Sequence, residues 1–178
     1  MVMPSAISGS INLTTGAGTV NSVGLFTVTT SSTPNTPTLG TKLEGTGATG
    51  NAYQGRSVAI SADGNTAVVG GFLDNTNIGA IWVFIKSGTN WIQQGGKLIG
   101  SGASTNAQQG ASVAISADGN TIIWGGNSDN VGVGAVWVFT RSNGGWTQQG
   151  NKLVGSDIVG NAQFGYSVSL SADGNTAL

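Results

Sequence analysis

The side chains able to do chemistry in this chain are few, and their spacing is regular. Seven carboxylates and six Lys and Arg stand among 178 residues, with no histidine and no cysteine. Three of the acids, Asp63, Asp118 and Asp173, sit in copies of one hexapeptide, Ser61-Ala62-Asp63-Gly64-Asn65-Thr66, spaced 55 residues apart. Two more, Asp74 and Asp129, each precede an asparagine and keep the same interval. Paired acid/base catalysis needs two carboxylates converging at a defined separation, and acids this sparse and evenly spread do not suggest it. Serine and threonine are abundant, but no imidazole exists to activate them. Zinc or haem ligation through histidine or cysteine is excluded for the same reason. The run Gly45-Thr46-Gly47-Ala48-Thr49-Gly50 lacks the Lys-Ser/Thr of a phosphate-binding loop and precedes no helical pattern. No enzyme, no metal site and no cofactor is expected.

Charge narrows the partners further. The net charge is −1 and charged residues make up 7% of the chain, against about 25% in an ordinary domain. No basic surface exists to neutralise a phosphate backbone, so nucleic acid is not an expected partner. Apolar residues still reach 38%, enough to build a core. None of the apolar runs is long enough to insert in a membrane. The first ten residues show neither the basic region nor the continuous apolar run of a Sec signal peptide. Low charge with 31 glycines and a Ser/Thr/Asn-rich remainder nonetheless suits an exposed location, extracellular or on a virion surface.

The elements that must position these residues follow from the repeat. Lys42-Leu43, Lys97-Leu98 and Lys152-Leu153 keep the 55-residue step, and 33 of 55 positions are identical between 42–96 and 97–151. A third copy, 152–178, is truncated. Within one unit, Ser57–Ser61 and Thr66–Gly71 flank an Asp-Gly turn, a strong hairpin signal because glycine takes the positive φ that a tight turn demands. Gly79–Lys86 is apolar on both faces and reads as a strand buried on both. Trp91–Gln94, continuing to Leu98, alternates and reads as a polar outer strand. Nothing has helical periodicity. The fold class expected is all-β: four-stranded antiparallel sheets arranged as β-propeller blades, an incomplete ring of about two and a half. Known propellers close with about four to eight blades. A piece of a longer protein is the favoured explanation, with several chains closing one ring as the other.

The stretches Phe164-Gly165-Tyr166-Ser167-Val168 and Gly70-Gly71 to Gly79-Ala80-Ile81-Trp82-Val83-Phe84 resemble FG-GAP repeats, the blades of integrin-α-type propellers, in their degenerate microbial or viral form. The resemblance covers 42–178, although Gln54-Gly55 and Gln109-Gly110 replace the Phe-Gly pair in the first two copies. It implies calcium in the first hairpin loop. That loop carries one carboxylate here, whereas calcium takes six to eight oxygens, several of them from carboxylates. No ligand is carried over.

Propeller geometry would bring the loop between the second and third strands and the loop joining consecutive blades to one face, and there the copies differ. The candidate ligand residues on that face are Tyr53, Asp74, Asn75, Asn77, Gln108, Asp129 and Asn130. Polar side chains beside an exposed aromatic suit a carbohydrate or a polar protein surface. The competing reading makes the Asp-Asn pairs turns that bond their own backbone. Trp82 and Trp137 are assigned to packing, and Trp124, where the first copy has Val69, to a change of size within the core.

Residues 1–30 read as an assembly or anchoring segment with strands near Ile11–Thr15 and Val23–Thr30, and 31–40 as a Pro/Ser/Thr linker to the repeats at 41–178. Ile11, Leu13, Leu25, Phe26 and Val28 are the candidate assembly residues. They would add strands to a second copy in a homo-oligomer, or to a shell or appendage protein. Two functions stay open: a recognition or adhesion module, and a structural component of a virion or surface fibre.

Overall fold

The computed structural model describes residues 12–15, 18–21 and 42–178. The chain divides into two compact units, Met1–Thr41 and Lys42–Leu178. In the first, strand β1 (Asn12–Thr15) pairs antiparallel with β2 (Gly18–Asn21), Leu13 opposite Val20. Thr15 faces Gly18, so only Gly16 and Ala17 join the strands, and a two-residue link is the commonest hairpin connection. The expected second strand 23–30, the linker 31–40, and Ile11, Leu25, Phe26 and Val28 lie outside the described residues.

In the second unit each complete repeat forms one four-stranded antiparallel sheet. The first runs β3 (Ser57–Ile60), β4 (Thr66–Gly71), β5 (Ala80–Ser87) and β6 (Asn90–Gln93), paired in chain order. The second repeats it with β7 (Ser112–Ile115), β8 (Thr121–Gly126), β9 (Ala135–Ser142) and β10 (Gly145–Gln148). The outer strands break after Gln93 and Gln148, short of the expected continuation to Leu98, and pairing with the third strand resumes at single bridges, Leu98 to Ile81 and Leu153 to Val136. In the third copy the Asp-Gly hairpin closes through a single bridge, Leu170 to Ala177, and forms no longer ladder.

The Asp-Gly turn is built from its own side chains. Asp63 accepts bonds from the Ser61 hydroxyl at 2.5 Å and from the backbone and side-chain nitrogens of Asn65, both at 3.0 Å. Gly64 takes φ +68°, the left-handed conformation that glycine reaches without penalty. Asp118 and Asp173 repeat the pattern.

The inner strands are packed on both faces. Alternation along β4 and β5 sends Val68, Ile81 and Val83 to one side, where they join Trp124, Trp137, Ile122 and Phe139 of the next repeat in one buried cluster. Ala80, Trp82 and Phe84 point the other way, into a second cluster with Leu43 and Trp91. The sheets therefore lie face to face, and β5 is buried on both sides from Ala80 to Phe84. Trp82 and Trp137 are fully buried, each beneath a glycine of its own repeat. A Cβ on Gly45 would lie 2.1 Å from Trp82, and one on Gly100 equally close to Trp137.

Truncating Trp137 to alanine should cost about 3–5 kcal/mol of stability in urea titration. Loss of less than about 1 kcal/mol would contradict its place in the shared core. A second test concerns acid. Hydrogen bonds, the Ser61 hydroxyl foremost and then the Asn65 amides, hold the Asp63 carboxyl below its ordinary value, and Asp118 and Asp173 are lowered likewise. A carboxyl depressed by folding contributes stability that is present above its unfolded value and lost as pH falls through the folded one. Replacing all three with asparagine should flatten the fall in melting temperature between about pH 5 and about pH 3. An undiminished acid response would place the sensitivity elsewhere.

Candidate functional site

Pairing of Ser57 with Gly70, and of Ser112 with Gly125, places the residues just before β3 and β7 beside those just after β4 and β8. This is the end of each sheet opposite the Asp-Gly turns. Residues 56 and 72 of the first repeat meet there, as do their counterparts 111 and 127. The third repeat contributes Tyr166 at the same step.

Between them lies a cavity of about 270 Å³, lined by Arg56, Phe72, Gln108, Ala111, Asn127, Tyr166 and Ser167. All three repeats contribute, mostly at positions where they differ: Arg56, Ala111 and Tyr166 are one repeat position, and Phe72 and Asn127 another, while Ser167 repeats Ser57 and Ser112. Phe72 packs edge-on against Tyr53 with ring centroids 6.0 Å apart, and the Arg56 guanidinium stands 6.0 Å from the Phe72 centroid. Gln108 accepts a hydrogen bond from the Ser128 hydroxyl at 2.9 Å. Tyr166 is 67% exposed and Tyr53 55%. Tyr53, Gln108 and Gln163 all sit at positive φ, between 53° and 59°. A side chain in that conformation costs free energy that glycine would spare.

Of the seven residues expected to face a ligand, Gln108 lines this cavity and Tyr53 buttresses its Phe72 wall. Asp74 and Asp129 do not belong to it, which is a correction. Both are fully buried. One oxygen of Asp74 accepts from the Thr49 backbone at 2.7 Å, and the other pairs with Lys97 of the next repeat at 2.5 Å. Asp129 bonds Ser104 and pairs with Lys152 in the same way. Nor do these carboxylates cap their own turns, since both amide partners lie 25 residues earlier. A charge without water must be paired, and the lysine does it.

The turns that carry these acids, Asp74–Asn77 and Asp129–Gly132, coil the wrong way for a right-handed helix. Asn75, Thr76 and Asn77 have φ of 50°, 55° and 68°, and Asn130 and Val131 of 47° and 59°. The Asn77 carbonyl receives the Gln108 amide at 2.8 Å, which ties the turn to the rim of the next repeat. Asn75 is half-buried and does not line the cavity. Asn130 opens onto a separate groove with Val131 and Asn161.

The cavity residues missing from the sequence expectation are Arg56, Phe72, Ala111, Asn127, Tyr166 and Ser167. The signal for several of them was available, since comparing repeats column by column marks 56/111/166 as strongly as it marks 53/108/163. The hairpin carboxylates do not fit calcium, because the oxygens of Asp63 are both engaged by Ser61 and Asn65. Among the described residues no group of three acids converges, and no helix is long and apolar enough to cross a membrane. The chain matches no family model, and no curated protein matches it.

Replacing Lys97 with methionine strands the Asp74 carboxylate in the interior and should cost about 3–5 kcal/mol in denaturant titration. Adding Asp74→Asn to that variant should recover part of the loss, because the amide oxygen still accepts from Thr49. A neutral single substitution would show that the pair is not a lock between repeats.

Proposed function

We propose that this chain is a non-enzymatic recognition module of the β-propeller type, with FG-GAP-like blades, which binds a carbohydrate or protein surface outside cells or on a virion. The observation that carries the reading is the cavity at the variable end: repeats that share most of their residues differ at most of the positions where they converge. A constant scaffold beneath a variable rim is the usual construction of a binding surface. Two further observations support the blade arrangement. Successive repeats meet through the same interface, with Lys97 on Asp74 and Lys152 on Asp129, and with Ser57 and Ser112 donating to Gly110 and Gly165. Backbone bonds also link equivalent points of three consecutive hairpins, from Ala62 to Ala117 at 3.1 Å and from Ala117 to Ala172 at 2.9 Å. Val58 of the first repeat is 67% exposed, whereas its counterpart Val113, packed against the first repeat, is half-buried.

Array screening of the full chain against immobilised glycans and surface proteins should yield at least one saturable ligand. Phe72→Ala with Asn127→Ala should weaken that interaction about tenfold or more while the melting temperature holds. Binding indifferent to both substitutions would remove the cavity from the reading.

A second reading, a structural component of a virion or surface appendage, is favoured by the β1–β2 hairpin. Two strands alone are marginal in water and are stabilised by further strands. Assembly with a second copy or a shell protein would then fail on deletion of residues 1–40 and survive the cavity substitutions. Assembly retained without those residues would dismiss this role.

A further inference from the structure

The cavity has a charge asymmetry that restricts what it can hold. Arg56 is its sole cation, and none of the seven lining residues is acidic. Among the described residues Lys42, Lys97 and Lys152 have carboxylate partners, while Arg56, like Lys86 and Arg141, forms no ion pair. Its guanidinium lies by the Phe72 ring, an arrangement that orients the group and leaves its N–H donors unspent. The rest of the lining is neutral. Gln108 has its oxygen engaged by Ser128, which leaves its Nε2 to donate. Asn127 and Ser167 add an amide and a hydroxyl, Phe72 and Tyr166 supply ring faces, and Ala111 holds the position between Arg56 and Tyr166 without filling it.

Resting on the recognition reading above, we propose that the cavity formed by Arg56, Phe72, Gln108, Asn127 and Tyr166 binds a carboxylate-bearing sugar residue. The carboxylate takes the guanidinium fork, for which a planar two-oxygen anion is the matched shape. Ring hydroxyls accept from Gln108 and exchange bonds with Asn127 and Ser167, and the apolar face of the sugar lies on the aromatic wall. One cation neutralises one carboxylate. A phosphate group would leave charge unbalanced, because no second cation or helix N-terminus reaches the site. An acidic peptide is a poorer occupant, since about 270 Å³ with amide-rich walls suits one sugar ring better than a peptide with its side chains.

The test is titration calorimetry on the full chain with trigalacturonate, a hyaluronan tetrasaccharide and sialyllactose, each beside its neutral methyl ester, and with a short poly-glutamate peptide. At least one acidic sugar should bind about tenfold or more tightly than its ester. Arg56→Gln should reduce that sugar to the level of the ester, and added salt should do the same. Lys86→Gln, which removes one exposed charge remote from the cavity, should change nothing. Equal binding of acid and ester, or an Arg56→Gln variant that keeps the preference, overturns the carboxylate while leaving recognition of sugars intact. Binding of poly-glutamate with no sugar binding overturns the sugar and leaves recognition of proteins. Failure of every probe here overturns the inference. The recognition reading falls separately, if the array screen also finds no ligand sensitive to the Phe72 and Asn127 substitutions.

Discussion

A buried carboxylate cannot stand alone, and that requirement ties each repeat to the next. Asp74 is withdrawn from water at the start of a turn, and its cation is the first residue of the following repeat. Folding of the turn and docking of the next repeat therefore become one event, because either alone leaves a charge uncompensated. The same pairing holds Asn75 and Thr76, and in the second repeat Asn130 and Val131, in a left-handed conformation. Asparagine enters that region readily, but β-branched threonine and valine do not, so surrounding contacts must hold them there.

Beneath the rim the polar residues of the repeat serve the backbone. Gln54 and Gln109 each grip the amide and carbonyl of a glycine nine residues earlier, and Gln109 also accepts the indole N–H of Trp124. Those glycines are the ones pressed against Trp82 and Trp137. A glutamine thus anchors the segment that covers a tryptophan in the first two repeats. The third repeat has Phe164 there, partly exposed. Asp74 and Asp129 are consumed between repeats by Lys97 and Lys152, and the hairpin aspartates within their turns. Among the described residues Arg56, like Lys86 and Arg141, has no carboxylate partner.

Much of the fold was legible because it rests on local signals. The Asp-Gly hairpin, the doubly buried strand Ala80–Phe84 and the packing role of Trp82 and Trp137 each follow from residue type and period within one repeat. The burial of Asp74 was not legible. Its partners, Thr49 and Lys97, lie 25 residues before it and 23 after it, and an Asp-Asn pair in a polar loop looks solvated until the next repeat covers it.

The amino-acid sequence by itself determined the unit: its length, its four strands, its turns, and the faces each strand must bury, because these depend on interactions between near neighbours. Only the tertiary structure decided which side chains share a cavity. Arg56, Gln108 and Tyr166 are about a repeat apart along the chain and meet because successive sheets stack face to face in a constant register. Stacking depends on how complete surfaces fit, and no single repeat contains that information.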